Sequence, residues 1–281
     1  MIPPTIVAGR NELNTALLDW RKADKSIGFV PTMGALHAGH ISLICEAVRA
    51  CDVVVVSIFV NPTQFNKAED LAQYPKTLEA DLLLLNNFTN VIIFVPEVGE
   101  IYQNNVETTK IDFDSICERL EGKFRPGHFD GVAQVVEILF NIVQPQKAFF
   151  GQKDYQQVLV VKKLVKVLEL PIEIIACPTK RELNGLAMSS RNLLLNEQEI
   201  KAAEIIWKTL CFVQENKDKY SIKELQKLAR DFFNEGGLSL EYLEIVNAAD
   251  LSPVKDWGED CVCCIAAFCG KVRLIDNLVL N

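Results

Sequence analysis

The chain reads as a doubly wound α/β protein, a parallel Rossmann-like sheet followed by a second, smaller α/β domain. Two observations predict this. As far as residue 177, short apolar runs closed by turn residues alternate with longer stretches in which apolar residues recur at helical spacing. Beyond Asn196 that alternation gives way to two helical patterns and then three strand-like runs, which sets the expected domains at 1–178 and 179–281.

The elements follow in order. Residues 11–22 carry Leu13, Ala16, Leu17 and Trp20 at helical spacing and form an amphipathic helix. Ile27-Gly28-Phe29-Val30 is a buried strand closed by Pro31, and Ile41, Leu43, Ile44, Ala47 and Val48 mark a helix from near His40 to about Ala50. Asp52–Val60 is apolar on both faces, as a central parallel strand must be, so a right-handed βαβ unit opens the sheet. A helix starting at Tyr74-Pro75-Lys76-Thr77 runs through Leu85 with Glu79 and Asp81 in its first turn, where the helix dipole favours carboxylates. The strand Val91–Val95, a loop over 96–105 and an extended piece at Glu107–Phe113 come next. A glycine-rich turn at Glu121–Phe129 leads into the helix Gly131–Val143, the strand Lys147–Phe150, the helix Tyr155–Leu168 and the strand Ile172–Cys177. Residues 180–192 have no strong periodicity and read as a polar hinge. Helices at 197–215 and 221–235 and strands at Leu240–Val246, Cys261–Phe268 and Lys271–Leu280 complete the small domain.

Composition removes whole classes of function. With a formal net charge of -8 and a pI near 5.1, a nucleic-acid-binding surface is not expected, and any polyanionic ligand must be met by a few concentrated cations. Met1–Thr5 shows no basic leader, and no apolar run approaches the roughly 20 residues of a spanning helix, so no membrane partner is expected. Nine cysteines, an odd number lying mostly in apolar runs, suit reduced core thiols and a cytoplasmic location. Cys261-Val262-Cys263-Cys264 has strand spacing and no nearby histidine, which argues against zinc.

The chemistry concentrates in turns at the carboxyl ends of strands, where ligands of open α/β sheets bind. Pro31-Thr32-Met33-Gly34-Ala35-Leu36-His37-Ala38-Gly39-His40 joins a strand to a helix, so unpaired N–H groups and the positive dipole end face whatever sits above the sheet. Two of the chain's three histidines lie in this decapeptide, and the third, His128, lies in Arg125-Pro126-Gly127-His128-Phe129. Asn61 and Gln64 offer neutral donors and acceptors after the next strand. Gly151-Gln152-Lys153-Asp154 repeats the strand-to-helix theme with a lysine, and Ser190 with Arg191 can grip separate oxygens of one phosphate.

Together these turns resemble a known family. The segment from Pro31 to His40 resembles the His-x-Gly-His signature of the nucleotidyltransferase superfamily, and Met188-Ser189-Ser190-Arg191 resembles its second signature. Ser57–Asn66, Arg125–Val132, Phe150–Gln157 and Met188–Asn192 are similar, in order and spacing, to the blocks of pantoate:β-alanine ligases. The resemblance implies a ligase that converts pantoate and ATP into pantoyl adenylate and pyrophosphate, after which β-alanine displaces AMP. It implies that Met33, Gly34, Ala35, Leu36, His37, Ala38, Gly39 and His40 lie along ATP, with His40 as proton donor and His37 on the phosphates. It further implies ATP contacts from Gly151, Gln152, Lys153, Asp154, Lys180, Met188, Ser189, Ser190 and Arg191. Lys153, Ser190 and Arg191 would meet the triphosphate, and Lys180 would act through its backbone. Gln64 and Gln157 would hold pantoate, Gln64 also meeting β-alanine. Mg2+ with Asp81 as its carboxylate, a homodimer, an ATP- and pantoate-binding domain over 1–178 and a lid over 179–281 complete the expectation. Ala80 stands where relatives are often more acidic.

Elementary chemistry agrees with this expectation. A carboxylate resists attack by an amine, and moving AMP onto it supplies a leaving group. The protein then needs no nucleophile of its own, only positioning and preorganised positive charge. Another nucleotidyltransferase and a silent nucleotide-binding module are the alternatives. Gln64 and Gln157 speak against the first, and the retained His40, Lys153 and Arg191 against the second.

Overall fold

A computed structural model describes residues 4–65, 71–72, 74–102 and 111–280. The first sheet is built from β1 (Thr5–Val7), β2 (Ile27–Thr32), β3 (Val53–Ile58), β4 (Val91–Phe94), β5 (Lys147–Gly151) and β6 (Glu173–Cys177), in the order β1-β4-β3-β2-β5-β6 and parallel throughout. All six residues of β3 are buried, as its unbroken valine run requires of a strand covered on both faces. The direction in which the sheet grows reverses between β2 and β5, and residues 31–40 leave the carboxyl end of β2 at that switch point.

Helices cover both faces. On one, α2 (Ala38–Ala50) packs Leu43, Ile44 and Ala47 against Val30, Val54, Val56 and Ile93, joined by Leu85 from α3 (Leu78–Leu85). A short helix α4 (Val98–Ile101) and the turn α5 (Leu120–Phe124) precede the long helix α6 (His128–Val143). Phe140 of α6 meets Phe29 of β2 and Phe150 of β5 edge to face, at ring separations of 6.2 and 6.5 Å. Each such buried side chain contributes about 1.5–3 kcal/mol. α1 (Arg10–Lys22) buries Leu13 and Leu17, and α7 (Tyr155–Val167) connects β5 to β6.

By contacts the chain falls into two compact units. The first comprises 1–113, 124–151 and 160–177, and the second comprises 114–123, 152–159 and 178–281. In the second, α8 (Glu197–Asn216) and α9 (Ile222–Asn234) pack with an antiparallel sheet of β7 (Ser239–Asn247), β8 (Cys261–Cys269) and β9 (Val272–Leu280). Its core runs from Leu186 and Leu195 through Ile206, Leu210 and Phe233 to Leu243 and Ile265. Cys261, Cys263, Cys264 and Cys269 are buried in β8, and burial pushes the Cys263 thiol well up from its ordinary pKa. Among the described residues, no helix is long and apolar enough to cross a membrane.

Several boundaries differ from the sequence reading. β1 is a three-residue edge strand, too short to give a periodic signal, yet it extends the sheet beyond β4. β2 continues through Pro31 to Thr32. Pro31 is tolerated there because β5 pairs with β2 only at Gly28 and Phe29, so the missing N–H faces no ladder. α3 begins at Leu78 rather than Tyr74. The extended piece at Glu107–Phe113 falls largely outside the described residues, and Ile111–Phe113 form no strand. The segment 180–192 lies wholly in the second unit, and 181–187 closes on itself through an Arg181–Ala187 bridge instead of running as an open hinge.

Candidate active site

In the first unit, the turn after β2 is organised by one buried carboxylate. Asp81, 1% exposed, accepts from the main-chain N–H of Ala35 through Oδ2 (2.9 Å) and from that of Leu36 through Oδ1 (2.8 Å). Thr77 Oγ1 adds a third bond, to Oδ1, at 3.2 Å. Gly34 and Ala35 both adopt left-handed backbone, with φ of 78° and 49°. A Cβ on Gly34 would come within 3.0 Å of Asp81 Oδ2 and 3.2 Å of Ile58 Cγ2, so the tight turn and the buried carboxylate require glycine together. Thr32 Oγ1 fastens the base of the turn by donating to Ser57 O (2.7 Å) and accepting from Gly34 N (3.2 Å). With each Asp81 oxygen accepting from a main-chain N–H group, this residue shapes the turn.

The same turn sets the imidazoles. His37 is the N-cap of α2, its Nδ1 accepting from Gly39 N at 3.1 Å, and His40 Nδ1 accepts from His37 N at 3.3 Å. The ring centroids lie 4.1 Å apart. An imidazole that accepts at Nδ1 carries its neutral-state proton on Nε2, so each ring offers an N–H donor at its other end. Both rings are half-buried, whereas Ala38 between them is exposed.

Gln64 lies in the same unit, buried in the turn after β3. Its Nε2 lies 2.6 Å from Met33 Sδ, its Oε1 accepts from Asn61 Nδ2 (3.3 Å), and its carbonyl contacts His128 Nδ1 at 2.8 Å. Arg125 Nη1 lies 3.1 Å from His128 Nε2, which as acceptor leaves the ring proton on Nδ1 to bond Gln64 O. The third histidine therefore buttresses the Gln64 turn. Asn61 ties that turn to α6 by donating to Gly131 O (3.1 Å), and Tyr102 donates its hydroxyl to Asn61 Oδ1 at 2.6 Å. Burial raises the Tyr102 pKa, keeping the phenol a donor. Tyr102 does not stand out in the sequence, because it lies in the loop 96–105, outside any motif or periodic run.

In the second unit, Lys153, Ser189, Arg191, Asn192, Arg273 and Asp276 line one pocket. Lys153 is four-fifths buried, with Nζ 3.2 Å from the half-exposed Asp154, and Ser190 is buried at the start of a 3-10 turn. Ser189 Oγ caps that turn by accepting from Arg191 N at 3.3 Å. Met188 N donates to Lys180 O at 3.0 Å, which closes a hairpin over 180–188, and the Lys180 side chain is exposed. Gly185 (φ 88°) packs so closely on Trp207 that a Cβ would come within 2.0 Å of the ring. Gly151 and Gln152 are half-buried at the end of β5, and Gln157 is half-buried in the first turn of α7.

Charged partners that carry no sequence signature support this pocket. Arg273 forks onto Glu121 (2.7 Å for each bond) and also reaches Glu241 at 2.9 Å. Burial works against the charged guanidinium, yet the two carboxylates hold its pKa above the ordinary arginine value. Tyr242 donates to Glu121 Oε1 at 2.7 Å. Among the described residues, no group of three His, Cys, Asp or Glu side chains is arranged to hold a metal ion.

Comparison with known proteins is consistent along nearly the whole chain. The family model described as pantoate-beta-alanine ligase matches residues 5–279. A pantothenate synthetase of Azobacteroides pseudotrichonymphae is 48% identical over 272 residues, covering 95% of this chain and 96% of the relative. One from Marinobacter nauticus is 47% identical over 275 residues, with coverage of 96% and 97%. Among solved structures, pantothenate synthetase from Thermus thermophilus superposes with a TM-score of 0.91 at 39% identity, covering 98% of this chain and 99% of that one. Pantoate-beta-alanine ligase from Francisella tularensis, complexed with beta-gamma ATP and beta-alanine, gives 0.82 at 38% identity, with coverage of 98% and 97%.

Proposed function

The chain belongs to the pantoate-beta-alanine ligase family and is an ATP-dependent C–N ligase joining pantoate to β-alanine, and from this we propose how its residues divide the reaction. A pantoate carboxylate oxygen attacks the α-phosphorus of ATP, the bond from that phosphorus to the bridging oxygen breaks, and pyrophosphate leaves. The amine of β-alanine, having lost its proton, then attacks the acyl carbon, and AMP leaves with the electron pair of the C–O bond.

The observation that carries this reading is the histidine pair at the N-terminus of α2. Two rings with Nδ1 already accepting from the main chain present Nε2–H groups beside a helix terminus, which suits charge building up on phosphate oxygens. His40 is the proton donor in this proposal, and His37 holds the phosphates. Met33 to His40 line the nucleotide, with Gly34, Ala35 and Leu36 supplying backbone. Lys153, Ser190 and Arg191 take the triphosphate, with Gly151, Gln152, Asp154, Met188, Ser189 and the main chain of Lys180 completing the ATP contacts. Gln64 and Gln157 hold pantoate, and Gln64 also meets β-alanine.

Mg2+ enters as part of the substrate, on the oxygens of ATP. The donor set does not fit a resident protein-held ion, because Asp81 is committed to the main chain of the turn and the described residues form no other cluster. The expected homodimer, the cytoplasmic location and the division into a substrate domain over 1–178 and a lid over 179–281 belong to the same proposal.

The test is a two-substrate assay. Protein, Mg2+, ATP and pantoate should release pyrophosphate, and AMP should appear only when β-alanine is added. Pyrophosphate release that requires neither acid nor amine would overturn the reading.

A further inference from the structure

The turn that carries Lys153 is held from the far end of the chain. Asn277 on β9, 4% exposed, donates through Nδ2 to the carbonyls of Gln152 (2.9 Å) and Lys153 (2.8 Å). Its Oδ1 is buried with no partner among the described residues, and turning the amide over would set that oxygen against two carbonyl oxygens. The orientation, and hence the grip, is fixed by the two carbonyls.

The neighbouring residue extends this grip to the second loop. Asp276 Oδ1 accepts from Asn277 N at 2.8 Å and from Arg181 Nη2 at 3.0 Å, while Oδ2 takes Arg181 Nη1. The Arg181 guanidinium lies 3.6 Å from the centroid of the Trp207 ring. Arg181 opens the 180–188 hairpin that delivers Ser189–Arg191. Two adjacent residues of one strand therefore hold both loops whose side chains line the same pocket.

We propose that Asn277 is a positioning residue for adenylation. Together with Asp276 and Arg181, it keeps the main chain of Lys153 in fixed register with Ser189–Arg191, so that ammonium and guanidinium meet one triphosphate. This rests on the reading of Lys153 and Arg191 as triphosphate contacts. Rigid placement of this kind matters because displacing a charged group by about 1 Å can cost on the order of a hundredfold in rate.

The test is a mutant cycle read by pantoate-dependent pyrophosphate release, with melting temperature measured in parallel. Asn277→Ala should lower kcat/KM for ATP by about tenfold or more while KM for β-alanine stays within about twofold. Asn277→Ser, which retains one donor, should fall between Asn277→Ala and the unmodified chain. Asn277→Asp, isosteric but without donors, should do no better than Asn277→Ala. On a Lys153→Ala background, Asn277→Ala should cost little more, since the group it positions is already gone. Should Asn277→Ala not fold, Asn277→Ser carries the same cycle. Equal losses on both backgrounds, or a lowered melting temperature with unaltered ATP kinetics, would overturn the positioning role and leave the site reading standing. A fully active Lys153→Ala would overturn the site reading and this inference with it.

Discussion

The turn after β2 and the Lys153 turn both follow a strand of the parallel sheet, but they are held in opposite ways. The first is shaped by its own unusual backbone, two left-handed residues in succession, and by one carboxylate arriving from α3. The second makes no such demand on its residues and is gripped by side chains of the last strand, reaching across 124 positions of sequence. A turn that needs special backbone announces itself through glycine and histidine. One that is clamped from outside has ordinary residues, and only its clamp is special.

This contrast can be broken most forcefully at the clamp. Asp276→Ala would leave the mostly buried Arg181 guanidinium without its counter-charge, and we expect a loss of about 3–5 kcal/mol, read by denaturant unfolding. The corresponding test of the first turn is Asp81→Ala, which strands the N–H groups of Ala35 and Leu36. A loss of about 3 kcal/mol is expected, together with impaired pyrophosphate release. If Asp81 held Mg2+ instead, raising the metal concentration would restore the variant.

His40→Ala sharpens the comparison by removing chemistry without removing support. Turnover should fall at least about tenfold, equivalent to roughly 1.4 kcal/mol of barrier, while the melting temperature changes little, because His40 is half-buried and its ring accepts from its own turn. The smallest effect is expected at the amino ends of β2 and β3, away from either turn. There Asp52 accepts from the Ser26 side chain and main chain and from Lys25, which holds its pKa down from 3.8 to about 2. A depressed carboxyl contributes stability that is present above its unfolded pKa and lost as pH falls toward the folded value. Asp52→Asn should therefore flatten the acid limb of a stability–pH curve between about pH 4 and pH 2 and leave neutral-pH activity unchanged.

Much of the molecule was legible in its residues. The valine run of β3, the helical spacing on α2 and α6 and the turn residues between them identified a parallel doubly wound sheet, since periodicity and turn chemistry act within a few positions. His37, His40, Lys153 and Arg191 are candidates on sequence grounds because the first three stand in glycine-containing turns after strands and Arg191 in a polar loop. Tertiary structure alone decided that both Asp81 oxygens bind the turn, that His128 braces Gln64, and that Asn277 and Asp276 govern two loops. A side chain's partner tens of residues away depends on which strands become neighbours and in what register. Those facts are fixed by the packing of the whole core, not by any stretch of chain read by itself.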